Sequence, residues 1–168
     1  LARHAADEPD AALVSILLVA DNPSKRLALN ALLAPLGYHV VEADSGLNAL
    51  RHVMAQDFAV ILLDVRMPVM GGFETAALIR LRRQSEMTPI IFITAYGADE
   101  ISPDRYKAGA VDFLFAPVEP YVLRAKVSFF VNTFVKAAEL AERAREVQAS
   151  ADQLRLLTEA APIGIFQT

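Results

Sequence analysis

The 168-residue chain contains no cysteine, which excludes disulfides and thiolate metal sites and fits a reducing compartment. No apolar run approaches the roughly 18 residues that a membrane span requires. The stretch from Leu1 to Ala11 is mixed and acidic, without the layout of a signal peptide, and reads as part of a short disordered lead over residues 1–13. A cytoplasmic protein is therefore expected. Basic residues are also scarce: 16 Lys and Arg against 20 Asp and Glu give a net charge of −4 and a pI near 5.4. Such a balance argues against nucleic acid as a partner, because phosphate neutralisation needs clustered cations. What the chain has in quantity is apolar side chain, 54% of all residues, enough for a sizeable core.

Short apolar runs alternate with longer periodic ones. Ser15 to Val19 has strand length and no polar alternation, as suits a parallel strand buried on both faces. Asn22-Pro23-Ser24 offers a helix cap, Leu29, Leu32, Leu33 and Leu36 follow at helical spacing, and Gly37 ends that helix. His39 to Ala43 is a second strand. Ser45 then starts a helix carrying Leu47, Leu50, Val53 and Met54. Phe58 to Leu63 is a strongly apolar strand ending in Asp64, and a helix follows Gly71-Gly72. Pro89 to Ile93 ends in Thr94, a Pro-interrupted helix is expected over about 99–108, and Val111 to Phe115 is a fifth strand. This alternation predicts an α/β fold of three layers, an open parallel sheet of five strands with helices on both faces.

In such a sheet, ligands gather at the carboxyl ends of the strands. Asp21, Asp64 and Thr94 stand there, with Ala116-Pro117 after the fifth strand. An aspartate ending so apolar a strand loses hydration and wants a reason to be there. Two aspartates on adjacent strand ends repel, and a hard, oxygen-ligated ion such as Mg²⁺ relieves the repulsion. A Thr hydroxyl nearby can bond a phosphoryl oxygen.

The segments Ile16-Leu17-Leu18-Val19-Ala20-Asp21-Asn22, Leu62-Leu63-Asp64-Val65-Arg66-Met67-Pro68-Val69-Met70-Gly71-Gly72, Ile93-Thr94-Ala95 and Gly109-Ala110 through Ala116-Pro117 resemble the receiver (response-regulator) family of two-component systems. The resemblance covers residues 14–135, and Asp-x-x-Met-Pro-x-Met-x-Gly is its most specific piece. It implies a doubly wound, flavodoxin-like sheet of order 2-1-3-4-5 and phosphorelay signalling with a histidine kinase or phosphotransfer protein as partner. Asp64 would be the phosphoacceptor. Asp21, Asp64 and the Arg66 backbone carbonyl would hold Mg²⁺. Thr94 and the aromatic Phe113 would respond to the phosphoryl group, and the side chains of Arg66 and Tyr96 would tune its hydrolysis. No enzymatic activity is implied for these residues themselves.

The sequence departs from the family pattern in two important places. Ala20 stands where the family has an acid, so weak Mg²⁺ binding is expected. Ala116 stands where it has a lysine that pairs with phosphoryl oxygens. Gly71 is a smaller departure, at another position usually acidic. These losses motivate an alternative, a degenerate pseudo-receiver that dimerises or binds proteins without phosphate. A phosphatase-like hydrolase using Asp64 would need a second acid for general acid catalysis, and Val65-Arg66 supplies none. The bland roles are a helix or turn cap for Asp64, an N-cap for Asp21 and a backbone-bonded buried hydroxyl for Thr94. The histidines at 4, 39 and 52 are too scattered for a catalytic set.

From Pro120 the sequence has no Gly or Pro until Pro162, and it is rich in Ala, Glu, Arg and Leu. One helix of about 40 residues is expected, far longer than the average of roughly 11–12. Phe130, Thr133, Ala137, Leu140, Ala144, Val147, Ala151, Leu154, Thr158 and Ala161 repeat at alternating spacings of three and four, and eight of these ten are apolar. Residues 136–161 therefore read as a coiled-coil linker that would make a homodimer, against the bland reading of a solvated helix. Leu154 to Thr168 resembles the opening of a PAS sensory domain, with residues 162–168 as its truncated start. A longer parent chain is expected, with an output such as a histidine kinase or a diguanylate cyclase.

Overall fold

Apolar runs that bury both of their faces become the three central strands of one sheet. The computed structural model describes residues 14–95 and 112–160. Its strands are β1 (Ser15–Val19), β2 (His39–Ala43), β3 (Val60–Asp64), β4 (Ile90–Thr94) and β5 (Asp112–Phe115). Every pairing is parallel and the order is β2-β1-β3-β4-β5. The chain runs from β1 outward to β2, then crosses back to β3. The direction of winding thus reverses between β1 and β3, which opens a crevice at their carboxyl ends.

The helices are α1 (Pro23–Leu33), α2 (Gly46–Ala55), α3 (Gly72–Leu81) and α4 (Pro120–Ala160). Their starts follow from local chemistry. Asn22 caps α1 by accepting the N–H groups of Ser24 and Lys25 through its side chain, and Pro23 opens the first turn, where no N–H is needed. Ser45 caps α2 through the N–H of Asn48. Gly37, at φ 75°, ends the short 3₁₀ turn Ala34–Leu36 that follows α1. The helix expected over 99–108 lies outside the described residues.

Leu17, Val19, Ile61, Leu63, Ile90, Phe92 and Phe113 face one way and pack with Ala49 and Val53 of α2 and Ala76 and Ile79 of α3. Alternation along the strands turns Ile16, Leu18, Leu62, Ile91 and Ile93 to the opposite face. There the buried side chains of α1 (Leu29, Leu33) and of the start of α4 (Leu123, Val127, Val131) complete the third layer. Each such buried side chain contributes roughly 1.5–3 kcal/mol. Arg124 of α4 donates from Nε to the Leu32 carbonyl oxygen at 2.8 Å, and Lys126 pairs with Asp112 of β5 at 2.7 Å.

The chain divides into two compact units, with the boundary between Asn132 and Thr133, inside α4. In the second unit the described side chains of the helix are exposed, Leu140, Val147 and Leu154 included, apart from the half-buried Val135. No helix among the described residues is long and apolar enough to cross a membrane.

Candidate functional site

Asp64 is the last residue of β3 and is 5% exposed. Both of its carboxylate oxygens have partners. Oδ2 lies 2.9 Å from the Lys25 ammonium, and Oδ1 accepts the Arg66 backbone N–H at 3.3 Å. An ammonium and an N–H dipole thus offset the hydration that so buried a carboxylate gives up.

Lys25 was not singled out by sequence reasoning. It is the third residue of α1, and the Asn22 cap fixes the turn that carries it. Its side chain is 30% exposed against 7% for that of Asp64. The signal that could have found it is a basic residue in the first turn of the helix that opens at the same sheet end as Asp64. Arg26, its neighbour, turns to the backbone instead. Its Nη1 donates to the carbonyl oxygens of Ala20 at 2.6 Å and Asp21 at 3.1 Å, and its Nε lies 3.7 Å from Glu42. The loop between β1 and α1 is held by these contacts.

Asp21 follows β1, the strand paired with β3, and is exposed. The N-cap of α1 is Asn22, so the capping role does not fall to Asp21. Thr94 ends β4 on the other side of β3 and is 4% exposed. The site therefore draws on the ends of three neighbouring strands. Ala116 sits just beyond β5 on a cis peptide to Pro117, and its N–H donates to the Thr94 carbonyl at 2.8 Å. Its side chain is a methyl group and brings no charge. Phe113 is buried in an aromatic row: its ring centroid lies 5.4 Å from Phe92, 6.5 Å from Phe73 of α3, and 6.3 Å from the stacked ring of Phe115. Arg66 is exposed in the loop after Asp64, and Tyr96 lies outside the described residues.

Two glycines and a strained valine shape that loop. A Cβ on Gly72 would stand 2.9 Å from the Val65 Cα and 3.0 Å from the Asp64 carbonyl carbon, and closer still to the Asp64 carbonyl oxygen. Only a residue without a side chain lets α3 start this close to the end of β3. The Gly72 N–H donates to the Val65 carbonyl at 2.9 Å, and the Thr75 hydroxyl to that of Gly71 at 2.8 Å. Val69 has a left-handed φ of 68° and a fully exposed side chain.

A hard cation would find oxygen donors in Asp64 and Asp21. The fit to Mg²⁺ is partial. No group of three or more His, Cys, Asp or Glu suited to a metal occurs among the described residues, and Lys25 already takes one Asp64 oxygen.

The comparisons agree with this geometry. Residues 16–128 match the family model for the response regulator receiver domain. The transcriptional regulatory protein ZraR of Escherichia coli K12 is 38% identical over 106 residues, covering 63% of this chain and 24% of that protein. The signal transduction histidine-protein kinase BarA of E. coli K12 is 30% identical over 153 residues, covering 88% of this chain and 17% of that protein. The chain thus spans a quarter or less of the length of these relatives. The crystal structure of the receiver domain of the sensor histidine kinase PA1611 from Pseudomonas aeruginosa PAO1, with a magnesium ion coordinated in its active-site cleft, has a TM-score of 0.64 and 32% identity, covering 71% of this chain and 98% of that one. With its parallel sheet, its buried acidic strand end and these matches together, the chain belongs to the response-regulator receiver domain family.

Proposed function

We propose that Asp64 accepts a phosphoryl group from a histidine kinase or a phosphotransfer protein and that the chain relays this event in a phosphorelay. The observation that carries the reading is the Asp64 carboxylate, buried at the switch point of the sheet between the ends of β1 and β4. One carboxylate oxygen attacks phosphorus in line, the P–O or P–N bond to the donor breaks, and the leaving group departs with the electron pair, giving an acyl phosphate on Asp64. Asp21, Asp64 and the Arg66 backbone carbonyl would hold Mg²⁺, weakly because position 20 is alanine. When bound, Mg²⁺ neutralises charge between carboxylate and phosphoryl oxygens. Thr94 bonds the phosphoryl group, Phe113 carries the change to the β5 edge, and Arg66 and Tyr96 tune the lifetime of the acyl phosphate. A ligand or modification of this kind shifts an equilibrium between two states of the domain.

The long α4 helix then passes the signal on. Residues 14–135 act as the receiver and residues 136–161 pair with a second copy as a coiled coil. Residues 162–168 begin a PAS-like domain of a longer parent, whose output carries any enzymatic activity. The seam residues Leu140, Val147 and Leu154, spaced by seven and all exposed, support the pairing. The test is incubation with acetyl phosphate and Mg²⁺ followed by mass spectrometry. A single phosphate on the wild-type chain that is absent from Asp64→Asn is expected. An unlabelled chain, or label that survives Asp64→Asn, would favour the second reading, a pseudo-receiver that works as a dimerisation or protein-binding module. The methyl groups at Ala20 and Ala116 support that alternative.

A further inference from the structure

The family lysine is missing at position 116, yet Asp64 is not without a cation. The Lys25 ammonium stands 2.9 Å from Asp64 Oδ2, arriving from α1 rather than from the loop after β5. We infer that Lys25 has taken over the phosphoryl-facing cationic role that position 116 no longer fills. The inference rests on the phosphoacceptor reading above.

Three observations carry it. The first is placement. Asn22 anchors the first turn of α1 through two N–H groups, so the Lys25 backbone is fixed at the mouth of the site while its four-carbon stem can still adjust. The second is division of labour between neighbours. Arg26 is engaged with the carbonyls of Ala20 and Asp21, whereas Lys25 meets the carboxylate itself. The third is charge. Acyl phosphate formation replaces one negative charge at Asp64 by about two on the phosphoryl oxygens, so an ammonium already in place is held more strongly after transfer than before. Its three N–H donors can bridge to those oxygens without moving the helix. Lys25 is therefore a residue that touches the reacting group, screening the approach of an anionic donor and then holding the product.

The experiment compares the rate of acetyl phosphate labelling at fixed Mg²⁺ in the wild-type chain, Lys25→Met, Lys25→Arg and the double variant Lys25→Met with Ala116→Lys. Lys25→Met should label roughly tenfold more slowly, the effect of losing one charge-assisted contact in the transition state. Lys25→Arg should keep most of the rate, and restoring an ammonium at position 116 should recover it. Lys25→Gln serves as a second neutral variant, with thermal melting as the check that each variant folds. Labelling of both neutral variants at or above the wild-type rate overturns the inference while leaving the receiver reading in place. So does a double variant no faster than Lys25→Met. A wild-type chain that takes no label overturns the receiver reading, and this inference with it.

Discussion

Gly72→Ala is the substitution that most directly tests how α3 positions Asp64. The added methyl carbon would stand 2.9 Å from the Val65 Cα and 3.0 Å from the Asp64 carbonyl carbon. Carbon atoms settle at about 3.5–4.0 Å, and the neighbours here are backbone, so no side chain can swing aside. Either α3 or the end of β3 must retreat by roughly 1 Å. Overpacking of a close contact costs about 1–3 kcal/mol, and a purely backbone clash belongs near the top of that range. The displacement also reaches Asp64, the proposed phosphoacceptor, where a misplacement of about 1 Å can slow a reaction some 100-fold. Gly37→Ala is the matched control. Gly37 has φ 75° but nothing within 4 Å of a Cβ, so alanine there should cost about 1–2 kcal/mol of left-handed strain and leave labelling unchanged. Urea denaturation gives the stability and acetyl phosphate labelling gives the rate. If Gly72→Ala labels like Gly37→Ala, the idea that the α3 start sets the position of Asp64 is wrong.

Other expectations are more local. Arg80 donates from Nη1 to the carbonyl oxygens of Ser85 at 3.2 Å, Glu86 at 2.9 Å and Thr88, tying together the turn that leads into β4, and burial lowers its pKa. Arg80→Met should remove about 1–3 kcal/mol from the urea unfolding free energy, and a change below about 0.5 kcal/mol would show that water replaces those bonds freely. In α4, Leu140→Glu combined with Val147→Glu puts like charges into the seam and should turn a dimer into a monomer in sedimentation velocity. Because the exposed seam lies beyond Asn132, the melting of the unit before it should not change. A wild-type chain that is monomeric at high concentration would end the coiled-coil proposal.

Much of the architecture is legible in single segments. Ser15–Val19 and His39–Ala43 form the expected strands, because short segments of strand length, built on Ile16-Leu17-Leu18-Val19 and on the β-branched pair Val40-Val41, are bounded by cap and turn residues. The strand expected from Phe58 instead starts at Val60; Phe58 and Ala59 precede it and are buried, with the Ala59 N–H donating to the Ser15 carbonyl of β1 at 3.0 Å. Burial makes a residue apolar whether or not it pairs, so hydrophobicity cannot mark where pairing starts. The strand order follows from the family resemblance rather than from spacing. At the site, the sequence pattern singles out Asp21, Asp64 and Thr94, because strand ends can be counted. The Lys25 contact could not be counted in that way. Thirty-eight residues lie between the lysine and Asp64, and only the crossover that returns the chain from β2 to β3 brings them together. The closeness of Gly72 to Asp64 is a tertiary fact as well. In sequence, the glycine pair signals no more than a helix start.

Val69 has a use that follows from its geometry. It stands five residues beyond Asp64, with its side chain wholly in solvent and its backbone already in the left-handed region. Replacing that side chain removes no packing, and the chain has no thiol of its own. Val69→Cys would create the sole thiol for attaching a fluorophore, in the loop that follows Asp64. Any change in emission would then report events at this one loop, without competing signal from elsewhere in the chain.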